Sequence, residues 1–159
     1  MIDHGTLAQD YHNETDMLRH KMRHSAAHVM ADAVLKLFPQ AKMGIGPPTQ
    51  DGFYYDFDVP RPFTPEDLVE IEELMRKTIE DAHSFSREEL TREDAQSLFA
   101  DQPYKLEIID AIPEDESLSI YRHGDFIDLC QGPHVTNTSD ISALKLLNIA
   151  GAYWRGDEQ

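Results

Sequence analysis

Apolar residues recur at three- and four-residue steps between Asn13 and Phe38, a spacing that predicts one long amphipathic helix. A helix turns by roughly 100° per residue, so these positions form a single apolar face. The opposite face is not purely polar, because it carries Ala31 and Leu35 near His24. We therefore expect this helix to be packed on both sides. The residues of the apolar face are Leu18, Met22, Ala26, Val29, Met30, Ala33 and Leu37.

Three further helices are indicated by capping residues and prolines. The second spans Thr64–Ala82, with a threonine cap, a proline in the first position and acidic residues in the first turn. The third spans Thr91–Ala100 and again begins at a threonine followed by acidic residues. A short fourth helix begins near Pro103 and carries Lys105 in its first turn.

Short segments rich in aromatic and branched apolar residues predict strands between and after these helices. A turn at His123–Asp125 joins two of them into a hairpin that leads directly into Asp128–His134. Helices and antiparallel strands in irregular order predict an α+β fold, with helices packed against an antiparallel sheet. The predicted strands cover residues 42–45, 53–59, 85–90, 118–122, 126–129 and 145–150.

The size and composition of the chain are typical of one domain. It has 159 residues, of which 40% are hydrophobic, and this suffices for a single core. Residues 1–12 lack periodicity and are expected to form a flexible tail before a domain at 13–159. We expect no membrane span, because no apolar run reaches ~18 residues, and no signal peptide is visible. The single cysteine excludes an internal disulfide and favours a cytoplasmic protein.

The charge of the chain restricts its partners. A net charge of −16 argues against broad contact with a nucleic-acid backbone, for which a basic stripe is the usual footprint. A small local contact stays open, because Arg19, Lys21 and Arg23 cluster just before His24. We interpret the remaining acidity as a contribution to solubility.

Two short segments carry most of the residues suited to catalysis or metal binding. His24 and His28 lie one turn apart on the first helix, roughly 40° apart around its axis. Cys130 and His134 have the same spacing, but Gly132-Pro133 prevents a helix there and predicts a loop. We interpret the rest of the chain as a scaffold that brings these two pairs together.

Several interpretations of the four residues remain open from spacing alone. The imidazoles and a thiolate would make a plausible tetrahedral zinc site. Cys130 could instead be a nucleophile activated by histidine, or the imidazoles could orient or deprotonate water near pH 7. They could also be buried polar groups with a structural role only. We assign that structural role to the other histidines, which are His4, His12, His20, His83 and His123.

Five motifs in fixed order give the chain a family resemblance. They are His24–His28 (HSAAH), Lys42–Pro47 (KMGIGP), Gly52–Asp56 (GFYYD), Cys130–His134 (CQGPH) and Gly151–Asp157 (GAYWRGD). Together they closely resemble the editing domain of bacterial threonyl-tRNA synthetase, in the threonyl/alanyl-tRNA synthetase common-domain family. Alanyl enzymes and free-standing alanyl editing proteins share the two paired motifs. The motifs Gly52–Asp56 and Gly151–Asp157 point to the threonyl branch.

The resemblance implies a hydrolytic function. In this family the domain cleaves the ester bond of seryl-tRNA(Thr), which a separate site makes by mistake. Serine lacks one methyl group of threonine, and one methyl discriminates by only ~1–3 kcal/mol, so a second, smaller site is needed. The alternatives from other classes are a non-catalytic zinc-binding interaction module and a free-standing trans-editing protein.

The resemblance also implies roles for individual residues. His24 would position or activate water, and Lys105 would stabilise the oxyanion. Asp128 would bind the ammonium or hydroxyl group of the seryl moiety, and Tyr55 would line the pocket. A hydroxyl of the terminal adenosine is expected to assist, so that no covalent intermediate is needed.

The other expected catalytic residues are His28, Cys130 and His134. They would shape the polar pocket and hold water. We expect no cofactor on this chain, because zinc is associated with the alanyl branch of the family. If zinc is present, the resemblance implies His24, His28, Cys130 and His134 as its ligands.

The resemblance implies a fragment of a larger synthetase. Many family members carry a small domain before this one, and an ATP-dependent catalytic core and an anticodon-binding domain after it. We therefore expect no ligase activity from this chain alone, although its parent would be a homodimeric threonine–tRNA ligase that binds ATP. The expected partners are the serine-carrying 3′ end of tRNA(Thr) and the remaining domains of the parent.

Overall fold

The computed structural model describes residues 14–142 and residue 144. The predicted tail at 1–12, the predicted strand at 145–150 and the motif Gly151–Asp157 lie outside the described residues. None of the helices in the described part of the chain is long and apolar enough to cross a membrane.

The helices lie close to where capping and periodicity placed them. α1 spans Glu14–Leu37, α2 Pro65–Asp81, α3 Arg92–Leu98 and α4 Pro103–Ala111, and a 3-10 turn covers Thr138–Asp140. α3 is shorter than predicted, because Phe99 closes it and a turn follows.

The start of α2 shows why the cap prediction succeeded. The Thr64 side chain accepts a hydrogen bond from the Asp67 amide, and the Asp67 carboxylate accepts one from the Thr64 amide. Such a reciprocal pair satisfies two amides that the helix leaves without partners. Arg61 adds an ion pair to the same carboxylate at 2.6 Å. These local contacts fix the residue at which α2 begins.

Two small antiparallel sheets take the place of the single expected sheet. β1 (Lys42–Met43) pairs with β2 (Phe57–Asp58), while β3 (Ser86–Leu90), β4 (Leu118–His123) and β5 (Phe126–Leu129) pair in the order β3-β4-β5. The α+β class is confirmed, with four helices and these small sheets.

The predicted strands at 42–45 and 53–59 are too long. Beyond β1 and β2, the Gly44 amide donates to the Asp56 carbonyl and the Asp56 amide donates to the Ile45 carbonyl. An isolated antiparallel bridge then joins Pro48 and Phe53. Pro47 and Pro48 lack the amide hydrogen that a regular ladder needs, so the pairing there does not form a continuous strand. The aromatic alternation itself is correct, because Tyr55 is buried and Tyr54 is exposed.

α1 is packed on both sides, as its sequence predicted. One side meets α2 and the segment around Val135. The other side uses small residues, Ala27 and Ala31, to approach Met43, Tyr55 and Phe126. A third cluster joins α3, α4 and β4. The first side buries Ala26, Val29, Ala33, Val34, Ile71 and Met75.

Candidate active site

Two elements from opposite ends of the chain form the candidate site. α1 presents His24 and His28 on adjacent turns, and the loop after β5 presents Cys130 and His134. Gly132 shapes that loop, because its φ is 87° and a Cβ there would collide with the Tyr121 hydroxyl of β4. Only glycine adopts this conformation without strain, which accounts for the glycine between Cys130 and His134.

The four side chains form one compact cluster. Their ligating atoms all lie within 4.8 Å of one another. Cys130 Sγ is 3.2 Å from His24 Nε2 and 3.3 Å from His134 Nε2. The His134 ring stacks on His24 and meets His28 edge-on, each with a centroid separation of 4.2 Å. His28 and His134 are buried, whereas His24 and Cys130 are half-buried.

Burial keeps the imidazoles of the cluster neutral. It lowers the pKa of His24 to about 4, although a hydrogen bond to the Pro133 carbonyl opposes the change. It lowers the pKa of His28 and of His134 far below the usual value, and the neighbouring histidines lower both further. All three rings are therefore uncharged at pH 7, and each has a nitrogen lone pair to offer.

The thiol of the cluster is also neutral. Burial raises the pKa of Cys130 to about 12, despite a hydrogen bond from the Gly132 amide to Sγ. Because the thiolate is the nucleophilic form, a protonated thiol at pH 7 argues against covalent catalysis by Cys130.

A second polar group lies beside the cluster and consists of Lys105, Asp128 and Tyr55. Lys105 Nζ is 2.8 Å from Asp128 Oδ1 and donates to Tyr55 Oη at 2.9 Å. Tyr55 Oη donates to Asp128 Oδ2 at 2.7 Å. Lys105 and Asp128 are only 3% and 2% exposed, so this is a buried charge pair. Burial raises the pKa of Tyr55 well above its usual value, and Tyr55 remains a donor.

Asp128 connects the two polar groups. Its Oδ2 lies 3.7 Å from His28 Nε2, and its strand β5 leads into Cys130 two residues later. His28 Nδ1 is buried without a hydrogen-bond partner within residues 14–142 and 144. The structure thus brings together all seven residues expected at the site, in one continuous polar region. Their catalytic roles stay predictions.

Sequence reasoning missed Ser25, which contacts the cluster from inside α1. Its Oγ lies 2.9 Å from His134 Nδ1 and accepts a hydrogen bond from the Val135 amide at 3.0 Å. The only available signal was its position between His24 and His28, because a buried helical serine must satisfy its hydroxyl somewhere.

The histidines assigned a structural role lie outside the cluster where they are described. His123 is buried, and its Nε2 lies 3.3 Å from Asp32 Oδ2. Its Nδ1 has no hydrogen-bond partner in the described part of the chain, so only one of its ring nitrogens is satisfied. His20 is half-buried, with its ring centroid 6.2 Å from that of His24. His83 packs near Gly124, while His4 and His12 lie outside the described residues.

The cluster has the donor set of a metal site. Three imidazoles and one thiol are a combination that binds zinc tetrahedrally once the thiol is deprotonated. The His24 Nδ1 contact with the Pro133 carbonyl, at 3.1 Å, is the outer hydrogen bond that commonly orients a ligating histidine. The four residues could therefore hold a metal ion, and bound zinc would supply Lewis-acid activation of water.

Comparison with known proteins shows what the chain is similar to. Residues 118–159 match the model of the threonyl and alanyl tRNA synthetase second additional domain. The chain is 62% identical over 138 residues to a threonine–tRNA ligase of Dehalococcoides mccartyi, covering 87% of the chain and 24% of that relative. For the threonine–tRNA ligase of Oleidesulfovibrio alaskensis the identity is 58% over 140 residues, with 87% and 22% covered. The chain thus spans about a quarter of the length of these relatives.

Proposed function

We propose that this chain hydrolyses the ester bond of mischarged seryl-tRNA(Thr), because it is similar to threonine–tRNA ligases and residues 118–159 match the threonyl and alanyl tRNA synthetase second additional domain. The observation that carries the proposal is the cluster of neutral imidazoles beside a buried lysine–aspartate pair. Neutral imidazoles hold water, the ammonium group offers positive charge to an oxyanion, and the carboxylate binds an amine.

In the proposed reaction, His24 Nε2 accepts a hydrogen bond from the attacking water. The water oxygen bonds to the ester carbonyl carbon and gives up one proton. The tetrahedral intermediate then breaks the bond to the ribose oxygen, which takes up that proton. With its pKa lowered to about 4, His24 is a weak base, so orientation of water is its main contribution. A hydroxyl of the terminal adenosine assists proton transfer.

Lys105 and Asp128 act at the two ends of the seryl group. The Lys105 ammonium has three N–H donors, and its contacts with Asp128 and Tyr55 leave one to stabilise the oxyanion. The Asp128 carboxylate binds the seryl ammonium. Both groups are already buried and mutually oriented before substrate arrives, so little reorganisation accompanies the reaction.

The test is single-turnover deacylation of seryl-tRNA(Thr) by this chain at saturating protein concentration. We expect His24→Ala to lower the rate by ~10²-fold or more, the usual scale for misplacing a reacting group, because the attacking water loses the side chain that orients it. His83→Ala is the matched control, because His83 lies outside the cluster and should leave the rate unchanged. Threonyl-tRNA(Thr) is the control substrate and should be hydrolysed much more slowly. Equal hydrolysis of both substrates, or none of either, would contradict the proposal.

A second candidate function is favoured by the donor set alone. As a metal-binding interaction module, the chain would hold zinc through His24, His28, Cys130 and His134 without catalysis. Metal analysis of protein purified without added zinc separates the two functions. Stoichiometric zinc with no deacylation supports the module, while deacylation that survives chelation supports hydrolysis by the residues themselves.

A further inference from the structure

Lys105 is held at both ends of its side chain, and the two ends belong to different parts of the fold. Its ammonium group lies 2.8 Å from Asp128 Oδ1 and donates to Tyr55 Oη at 2.9 Å. Its backbone belongs to α4, which spans only Pro103–Ala111. A lysine side chain has a long, flexible stem, so the place of the ammonium depends on how the first turn of α4 is held.

Gln102 immediately precedes α4 but does not cap it. It occupies the N-cap position, yet its side chain makes no hydrogen bond to the first turn of the helix. Instead, Gln102 Oε1 accepts a hydrogen bond from the Met43 amide at 2.8 Å, and Nε2 donates to the Ala41 carbonyl at 3.4 Å. A side-chain amide offers the same donor and acceptor as a peptide unit. Gln102 therefore pairs with the edge of β1 that β2 leaves free.

Two further contacts join the same turn to the two-stranded sheet, but both lie at the surface. Lys42 Nζ donates to the Asp101 carbonyl at 2.8 Å, and Tyr104 Oη donates to Asp58 Oδ2 at 2.7 Å. Water competes for such exposed groups, so each contact contributes little to the position of α4. Gln102 is 8% exposed, and its loss would leave a buried backbone amide of β1 without this partner. The pairing of Gln102 with β1 is accordingly the strongest of the three links.

The sheet that Gln102 contacts also carries one of the partners of Lys105. Met43 of β1 pairs with Phe57 of β2, and Tyr55 lies two residues before Phe57. Lys105 lies three residues after Gln102, which is about one helical turn. The contacts thus form a closed ring from Gln102 through the sheet to Tyr55, on to the Lys105 ammonium and back along α4. Opening this ring at Gln102 would let α4 shift relative to Tyr55 while the helix itself stays intact.

We propose that Gln102 is a positioning residue for the Lys105 ammonium, which it places by pairing the start of α4 with the edge of β1. Its hydrogen bonds go to the β1 backbone, so its effect on hydrolysis passes through Lys105. That effect rests on the proposed function, whereas the placement of the ammonium does not. A residue with a structural role only would change the amount of folded protein, while a positioning residue changes the rate constant of the folded protein.

The first experiment is nitrogen-15 NMR of the lysine ammonium groups, in which Lys105→Met identifies the Lys105 signal by its loss. We expect this buried ammonium to exchange its protons with water slowly in the original protein. Gln102→Met has a side chain of similar length without the amide, and it should accelerate the exchange by roughly 10-fold or more, because the ammonium contacts open more often. Gln96→Met is the matched control, because Gln96 is exposed on α3. An unchanged exchange rate in Gln102→Met, or equal acceleration in Gln96→Met, would overturn the proposal.

Gln102→Asn separates positioning from helix stability, and it also decides the matter if Gln102→Met fails to fold. Asparagine is among the best N-cap residues, so the substitution should preserve or strengthen α4. Its side chain is one methylene shorter and does not reach β1 from the same backbone position. We expect faster exchange of the Lys105 ammonium while the backbone amides of α4 stay protected. Slow ammonium exchange in Gln102→Asn would refute the positioning role.

Single-turnover deacylation of seryl-tRNA(Thr) tests the consequence for hydrolysis. Gln102→Met should lower the rate constant at saturating protein by roughly 10- to 100-fold, the usual effect of a small displacement in a reacting site. In a Lys105→Met background the same substitution should change the rate by less than ~2-fold, because the ammonium that it displaces is already absent. An equal loss in both backgrounds would refute the role through Lys105. A chain inactive before substitution would refute the proposed function instead, and ammonium exchange would then decide the positioning role.

Discussion

At the scale of single residues, the surroundings of Cys130 determine whether it can act as a nucleophile. Its Sγ faces His24 Nε2 and His134 Nε2, yet burial raises its pKa to about 12. A nucleophilic mechanism needs a thiolate, which this environment disfavours. A hydroxyl at the same position would still lie beside both imidazoles and accept from the Gly132 amide.

We therefore expect Cys130→Ser to retain measurable hydrolysis of seryl-tRNA(Thr), within about 10- to 100-fold of the original rate. Single-turnover deacylation measures the rate, and acid quenching tests for an acyl-enzyme. A trapped seryl thioester on Cys130, together with an inactive Cys130→Ser, would establish covalent catalysis instead.

His24 gives the reaction a characteristic dependence on pH. Only the neutral ring accepts a hydrogen bond from water, and burial lowers its pKa from 6.5 to about 4. Acidification should thus leave the rate intact through the usual histidine range and reduce it only near pH ~4–5. Single-turnover rates corrected for uncatalysed hydrolysis, with circular dichroism as a control for folding, give the profile. A midpoint near pH ~6.5 would assign the essential base to an exposed histidine.

The site residues differ in how far the sequence revealed them. The equal spacing of His24–His28 and Cys130–His134 indicated two pairs with shared chemistry, and the structure brings them together. Periodicity could not show that Lys105 is buried, since the first turn of a short helix is usually exposed. Ser25 was not predicted as a site residue, because nothing in a helical sequence marks a serine as important until its partner, 109 residues away, is known.

At the scale of elements, the loop after β5 depends on Gly132. Its φ of 87° is costly for any residue with a Cβ, and the Tyr121 hydroxyl occupies the place of that Cβ. We expect Gly132→Ala to destabilise the fold by about 1–3 kcal/mol, the usual scale of such backbone strain. The substitution should also displace Cys130 and His134, so deacylation should fall by more than the loss of folded protein explains.

Thermal unfolding and deacylation of the same samples measure both effects. Gly52→Ala is the matched control, because a Cβ there meets only Thr49 Oγ1 at 3.8 Å and φ is not left-handed. Equal melting temperatures and rates for the two variants would show that the loop tolerates a side chain at Gly132.

The elements also show which sequence signals were reliable. Helices with local caps, such as the Thr64 box of α2, could be predicted because all the determinants lie within a few residues. The strands predicted at 42–45 and 53–59 were longer than β1 and β2, because aromatic alternation predicts which residues share a face of the sheet but not how many residues pair. The number of pairs depended on Pro47 and Pro48 and on packing of the Tyr55 ring over Gly46. The split into two sheets depends on which strands pair in the folded chain, and periodicity alone does not give that pairing.

At the scale of the whole molecule, the site combines residues from four separate segments of the described chain. α1 supplies two histidines, α4 the lysine, the segment before β2 the tyrosine, and β5 with its loop the aspartate, cysteine and third histidine. α1 can serve all of them because it is packed on both sides, with alanines where Met43, Tyr55 and Phe126 approach. The polar region is therefore a property of the assembled fold, and a fragment lacking any of these elements would lose it.

The charge of the whole molecule leads to a last prediction. A chain with net charge −16 repels an extended phosphate backbone, so we expect the proposed contact with tRNA to be confined to the few nucleotides that reach the candidate site. Arg19, Lys21 and Arg23 precede His24 on α1, and no ion pair to a carboxylate involves them within residues 14–142 and 144. They are the cations best placed to meet the terminal phosphates.

Affinity for a short single-stranded oligonucleotide ending in CCA should therefore be weak and should fall only gently with salt. With one to three phosphates neutralised, log K against log salt should have a slope of roughly −0.7 to −2. Arg23→Ala should flatten this slope by about 0.7, while Lys77→Ala, on the exposed face of α2, should leave it unchanged. Fluorescence anisotropy over a salt series measures both. A slope steeper than about −5, or equal effects of the two substitutions, would mean that the chain binds an extended backbone despite its charge.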